Sequence, residues 1–171
     1  ICGVEQDPRV WWEALGRCAR RAIDQSDLPG STITLIAVTS QYTSTTAVDA
    51  AGRPMGNTVM WMDSRGARHR RIRVARDQYA RFVEVHGLVP SPNDDVGHVD
   101  LIRALHPAAY DAAHAFVDPM DALAARLTGH VTATQNTAFP MMACDNRTWG
   151  ATEYSEELLS ITGMPASFTM S

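Results

Sequence analysis

The six residues Ile33-Thr34-Leu35-Ile36-Ala37-Val38 constrain the fold more than any other stretch of the chain. They are apolar or β-branched almost throughout and lack the alternation of a half-exposed strand. A run of this kind suits a strand covered on both faces. Such a strand is predicted to lie centrally, with other strands beside it and helices over it, which places the chain in the α/β class. The polar run Thr39-Ser40-Gln41-Tyr42-Thr43-Ser44 follows directly. Ligands of α/β sheets bind at the carboxyl ends of strands, so this loop is the first candidate site on position alone.

The rest of the chain supplies neighbours for that strand. Thr45 to Asp49 and Thr58 to Asp63 read as flanking strands, separated by the turn residues Asp49-Ala50-Ala51-Gly52 and Pro54. Asp7-Pro8 is an N-cap followed by Pro at the first helical position. From Pro8 to Gln25, Val10, Trp11, Ala14, Leu15, Cys18, Ala22 and Ile23 recur at helical spacing as one apolar stripe, predicted to pack on the sheet. Cys18 sits at a core-like position of that stripe, and Gly16 suggests a close contact in mid-helix. Ser64 to His86 reads as helical, Leu88 to Gly97 as a loop, and Val99 to Leu105 and Pro107 to Ala113 as short helices. A brief strand at Ala115-Phe116-Val117 precedes a second Asp-Pro cap, Asp118-Pro119, which opens a helix through Thr128 that stops at Gly129. Ser155 caps a last helix through Ile161.

Composition excludes several classes. At 171 residues, 45% apolar and 20% charged, the chain reads as one domain, or one domain and part of another, with a real core and not a disordered tail. No apolar run approaches the roughly 20 residues that span a bilayer, and no basic-then-apolar leader is visible. A net charge of −4 makes nucleic acid or an anionic membrane a poor default partner. All 15 basic residues are Arg, so chemistry that needs a Lys, such as a Schiff base or a P-loop, has no residue here. Cys2, Cys18 and Cys144 show no CxxC spacing, which argues against a zinc site and fits reduced thiols in the cytoplasm.

Arg65, Arg68, Arg70, Arg71, Arg73 and Arg76 stand within twelve residues. Without interleaved aromatics and in a net acidic chain, they read as a solvated helix face rather than a phosphate-binding one. The six His show no metal-ligand spacing, and no GxSxG, P-loop or GxGxxG occurs.

Several segments taken in order carry a resemblance. They are Val4-Glu5-Gln6-Asp7-Pro8 with Trp11-Trp12, the apolar run ending in Ser40-Gln41, and the turn Asp49-Ala50-Ala51-Gly52-Arg53-Pro54. Met60-Trp61-Met62-Asp63-Ser64-Arg65, Asp118-Pro119-Met120-Asp121-Ala122-Leu123, Arg126-Leu127-Thr128-Gly129, Trp149 and Tyr154-Ser155-Glu156-Glu157-Leu158-Leu159 complete the set. Together they resemble the N-terminal domain of the FGGY carbohydrate kinases, the family of xylulokinase, gluconokinase and glycerol kinase, over nearly all of the chain.

The resemblance implies an α/β, ribonuclease-H-like domain of the actin and hexokinase type, with a mixed sheet and flanking helices. Residues 1–171 would be a partial N-terminal, sugar-binding domain, with the first hairpin and the second domain outside it. The implied reaction is transfer of the ATP γ-phosphoryl group to a sugar or polyol hydroxyl, with Mg2+ neutralising phosphate charge. The family's catalytic Asp and phosphate-contacting segments would fall outside residues 1–171, so this chain alone is expected to be inactive. The implied sugar-facing residues are Gln41, Tyr42, Thr43, Trp61, Asp63 and Asn93. Tyr42-Thr43 stand where family members commonly place a charged or polar pair such as Arg-Glu. For Asp63 with Arg65, an ion pair that orients a loop is as good a reading as sugar contact. A second function reading stays open, a non-catalytic binding or interaction module derived from a degenerate kinase domain. An unpaired sheet edge at the missing hairpin would favour a homodimer.

Overall fold

A computed structural model describes residues 3–69, 74–89, 94–151 and 153–163. Asp7 opens the first helix as its sequence requires: its Oδ1 accepts the Arg9 backbone N–H at 3.0 Å, and Pro8 takes the first position of α1 (Pro8–Ser26). The helix ends where Asp27 turns into the left-handed region at φ 55°.

The apolar stripe of α1 does not pack on a sheet. Of its 19 residues only Pro8 is buried. Cys18 is exposed, and a Cβ at Gly16 would meet only the guanidinium of Arg20, at 3.6 Å, so neither the core position nor the close contact expected there is found.

The predicted central strand is absent as well. Residues 33–38 carry no ladder hydrogen bond and are open to solvent, with Leu35 79% and Ile36 63% exposed. The reason is physical. Backbone N–H and C=O groups need partners, and no described strand runs beside this segment. Residue type suits the strand, but only a neighbouring strand makes one. Instead Ile33 and Ile36 join Trp12, Leu15, Ile23 and Leu28 around an apolar cavity of about 750 Å³.

The strands that do form are short and antiparallel. β1 (Glu5–Gln6) pairs with β3 (Thr58–Val59), Glu5 opposite Val59 and Gln6 opposite Thr58. β2 (Thr46–Val48) pairs with β4 (Ala115–Val117), with Ala47 opposite Phe116. Thr45 and Val59 exchange backbone hydrogen bonds of 2.9 and 3.0 Å and so join the two ladders in the order β1-β3-β2-β4. Between β2 and β3, Asp49 Oδ1 accepts the N–H groups of Ala51 and Arg53 at 2.9 and 2.8 Å. Gly52 is required there: its φ is 69°, and a Cβ would stand 2.7 Å from the Ala125 methyl. The strand expected to reach Asp63 ends at Val59, and residues 61–62 turn the chain away.

The core lies on the other side. α3 (Tyr79–His86), α4 (Asp95–Leu105) and α8 (Glu156–Thr162) enclose Phe82, Val85, Val96, Val99, Leu158 and Ile161. α4 begins four residues before the expected Val99, because Asp94 Oδ1 accepts the Gly97 N–H at 2.8 Å and caps it. The continuous helix expected from Ser64 to His86 is two described pieces, α2 (Gly66–His69) and α3; Arg70, Arg71 and Arg73 of the Arg-rich run lie outside the described residues. α5 (Pro107–Ala112) follows α4 at the His106-Pro107 joint. α6 (Pro119–Thr128) is capped by Asp118, which accepts the Met120 N–H at 3.1 Å. α7 (Gln135–Ala138) runs into a 3₁₀ turn at Phe139–Met141. Among the described residues no helix is long and apolar enough to cross a membrane.

Candidate sugar-binding site

Four of the residues picked out from the sequence meet in one place. Gln41, Tyr42 and Thr43 precede β2, and Trp61 sits in the turn after β3; together they line a cavity of about 550 Å³. Ser44 fixes the two arms to one another, since its Oγ accepts the Trp61 backbone N–H at 3.0 Å and the residue is fully buried. Leu88 and Val89 after α3, the α4 cap Asp94, Pro140 of the 3₁₀ turn and Met142, which ends that turn, close the other walls. The volume falls in the range of about 300–1,000 Å³ that small-molecule sites occupy, and the mix of apolar walls with a few convergent polar groups is the usual one. The larger cavity beside α1 holds none of the residues the sequence singled out.

Backbone strain gathers at the same cavity. Three described non-glycine residues have positive φ, and two of them, Thr43 at 60° and Met142 at 59°, line it. For a β-branched residue that conformation is costly, and strain of this kind clusters at ligand clamps.

Behind the loop lies a buried acidic group. Thr45 Oγ1 donates to Asp95 Oδ1 at 2.9 Å and stands 3.1 Å from His98 Nδ1. Ser40 Oγ donates to Asp118 Oδ1 at 3.3 Å. Asp95, His98, Asp118 and Asp121 are all at most 5% exposed. Burial pushes the Asp118 carboxyl up to about 7, and the neighbouring charges of Asp95 and Asp121 add to the rise against the Met120 N–H. Burial likewise pushes Asp121 up to about 6. Oδ2 of both and Nε2 of His98 have no hydrogen-bond partner among the described residues. The field of these acids reaches the cavity: the Tyr42 hydroxyl is pushed up to about 12 by burial and then by Asp95 and Asp118.

Asp63 is placed elsewhere. It is fully buried, accepts the Val4 N–H at 2.8 Å and pairs with Arg65 at 2.7 Å, while Arg65 also reaches Glu5 at 2.6 Å. Burial opposes its charge, but Arg65 and the backbone donors hold the carboxyl below the usual range. Its geometry is that of an ion pair orienting a loop, and it does not line the cavity. Asn93 lies outside the described residues. Sequence reasoning missed Leu88, Val89, Asp94, Pro140 and Met142. The Pro- and Asp-rich run before α4 holds one signal, an N-cap at Asp94, inside what the sequence reads as a loop.

Among the described residues no three His, Cys, Asp or Glu side chains are placed to hold a metal ion. The Mg2+ implied by the sequence resemblance therefore finds no ligand set in them.

The arrangement is a half-open, polar-and-apolar cavity on an α/β scaffold, and comparison with known proteins gives its class. The sequence profile of the FGGY family of carbohydrate kinases, N-terminal domain, matches residues 2–171. The glycerol kinase of Thermococcus onnurineus is 30% identical over 168 residues, covering 95% of this chain and 33% of that protein. In structure, the chain is similar to a xyloylose kinase from Brucella ovis, with a TM-score of 0.79 at 22% identity over 99% of this chain and 34% of the other. It is also similar to a gluconate kinase from Lactobacillus acidophilus, with a TM-score of 0.74 at 16% identity over 97% of this chain and 32% of the other. These likenesses show the fold, that of the FGGY sugar kinases. The chain belongs to the FGGY family of carbohydrate kinases, in the part of it that forms the N-terminal domain, and it spans about a third of the length of the relatives it matches.

Proposed function

We propose that these residues form the sugar-facing side of an ATP-dependent kinase that phosphorylates a hydroxyl of a sugar or polyol. The observation that carries this reading is the convergence of Gln41, Tyr42, Thr43 and Trp61 in one cavity, with strained backbone at Thr43 and Met142. In it the amide of Gln41 and the hydroxyls of Tyr42 and Thr43 hydrogen-bond hydroxyls of the acceptor. The Trp61 ring, 48% exposed, covers a carbon face of it. These groups bind and orient; holding the acceptor hydroxyl in line with a phosphoryl donor is itself a large share of such catalysis. The acceptor base and the groups that hold ATP and Mg2+ belong to other parts of the polypeptide in this reading. A cytoplasmic setting and self-association through the open apolar face of α1 and residues 33–36 complete the proposal. A non-catalytic module is not favoured, since the relatives named above are kinases.

The test is turnover by the full-length polypeptide that carries these residues. Incubated with ATP and Mg2+ and a panel of pentuloses, polyols and hexonates, it is expected to form ADP with at least one acceptor and a phosphorylated product in equal amount. ADP release that no acceptor stimulates would overturn the reading.

A further inference from the structure

We propose that Asp118 is a positioning residue for the acceptor site: from behind the cavity, its buried carboxylate holds the Gln41-Tyr42-Thr43 loop at both ends. The inference rests on the kinase reading above, because it concerns the loop which that reading turns toward the acceptor. At one end, Ser40 Oγ donates to Asp118 Oδ1 at 3.3 Å. At the other, the Ser44 backbone N–H favours the charged form of the same carboxyl, and Ser44 Oγ accepts the Trp61 N–H at 3.0 Å. Between the two anchors Thr43 sits at φ 60°. A β-branched residue stays in that conformation only where its surroundings hold it, and Asp118 reaches the chain on both sides of it. Asp118 Oδ1 also accepts the Met120 N–H as the cap of α6, so the loop is fixed to the start of a helix.

The hold depends on charge. Ser40 has one hydroxyl proton and two acceptors within reach, Asp118 Oδ1 at 3.3 Å and the Gln41 carbonyl at 3.2 Å. A hydrogen bond to an ionised carboxylate is roughly twice as strong as a neutral one, so charged Asp118 takes the proton and ties the loop to α6. When Asp118 is protonated, the proton sits on Oδ2, because Oδ1 already accepts the Met120 N–H. Oδ1 of the neutral acid is then a weaker acceptor. The Ser40 hydroxyl turns to the Gln41 carbonyl, and the loop is bonded only to itself. The groups around Asp118 set where this happens. Asp121 lies on its own helix. Helix α4 brings Asp95, with His98 at the same Thr45 hydroxyl. The loop brings Tyr42, and Tyr154 lies in the field of Asp95 and Asp121. β2 and β4, which pack on α6, carry no ionisable side chain. Burial first, with Asp95 and Asp121 adding to it, pushes the Asp118 carboxyl up to about 7. The anchor is therefore made above that value and released below it.

The experiment measures acceptor KM and ATP KM of the full-length protein between pH 6 and 8, with the best acceptor of the panel above. The parent's acceptor KM is expected to rise about fivefold as pH falls across that range, a modest factor because Ser40 is exposed. Asp118→Asn keeps the cap on Met120 and cannot ionise. Its acceptor KM is expected to be about fivefold above the parent's at pH 8 and flat down to pH 6, with the ATP KM at pH 8 within about twofold of the parent's. The same variant is expected to be the more stable of the two at pH 8, so its higher KM is not a folding defect. Ser40→Ala keeps the charge and removes the hydroxyl. It is expected to raise the acceptor KM at pH 8 by a similar factor, and the double variant to be no worse than either single one. Hydrogen–deuterium exchange at residues 41–44, which needs no turnover, is expected to quicken in both single variants at pH 8. An acceptor KM that Asp118→Asn leaves unchanged at pH 8, a pH response that persists in that variant, or single effects that add in the double would overturn the inference while the kinase reading stands. Unchanged exchange in both variants would overturn the anchor whatever the turnover. Absence of turnover with every acceptor would overturn the kinase reading and, with it, the role of the anchor at an acceptor site.

Discussion

The two sides of the molecule use the same kinds of residue to opposite ends. Around α3, α4 and α8, apolar side chains vanish from solvent: Phe82, Leu158 and Val96 are each 0% exposed. Along α1 and residues 28–36, equally apolar side chains stay open, Leu28 at 60% and Leu35 at 79%. Helix α1 carries a side-chain cap at Asp7 and Pro at its first position, so a missing cap does not explain the contrast. What differs is the partner. The first set finds complementary surfaces among the described residues, and the second does not. Capping and periodicity form an element, but only a neighbour turns its apolar face into stability.

Four substitutions break or sharpen that contrast. The largest effect is expected for Phe82→Ala, which leaves a void beside Val85 and removes the ring stacked 5.2 Å from His86. A loss of about 3–5 kcal/mol in urea-denaturation free energy is expected. A loss below 1 kcal/mol would mean that this core is not packed as described. Next comes Arg65→Met, which leaves the buried Asp63 carboxylate with only its backbone donors. About 2–3 kcal/mol is expected, less than for a fully buried pair because Arg65 is partly exposed. Asp63 is held below its usual value, so the stability it contributes is present above pH 4 and lost as pH falls through the carboxylate range. The variant and its parent should therefore converge in acid.

Asp118→Asn tests the buried acids beside the cavity. With the folded-state value raised to about 7, the protonated carboxyl is favourable at pH 4, and that contribution is lost as pH rises through 7. Asn keeps the cap on Met120 and cannot ionise. The variant is expected to match its parent near pH 4 and to exceed it by roughly 1–3 kcal/mol at pH 8, read from thermal or urea melts across that range. A parent whose stability rises from pH 5 to 8 would contradict the assignment. Leu35→Ala should do least, within about 0.5 kcal/mol. A cost comparable to that of Phe82→Ala would show that residues 33–38 are packed after all.

How much of this was legible beforehand divides along the same line. Asp7-Pro8, Asp118-Pro119 and Ser155 mark helix starts because a cap is a local bond between a side chain and a backbone N–H two or three residues on. The turn at Asp49 to Arg53 is legible for the same reason. Residues 33–38 misled because a strand is defined by a partner distant in sequence. The start of α4 was hidden by prolines that disguised the cap at Asp94. At the site, Gln41, Tyr42, Thr43 and Trp61 were legible from position and resemblance. Met142 was not, since nothing in a methionine announces a left-handed backbone or a cavity wall formed by a turn 100 residues away from the loop it faces. Asp63, also implied by the resemblance, is buried against Val4 and Arg65 and holds the turn that presents Trp61.

The most direct test of the central claim is Trp61→Ala in the full-length protein, with KM measured separately for acceptor and for ATP. Trp61 lines the cavity with Gln41, Tyr42 and Thr43, so removal of its ring should raise the acceptor KM about tenfold and leave the ATP KM within about twofold. An equal rise in both, or a rise in the ATP KM alone, would contradict the account and remove the cavity from the sugar site.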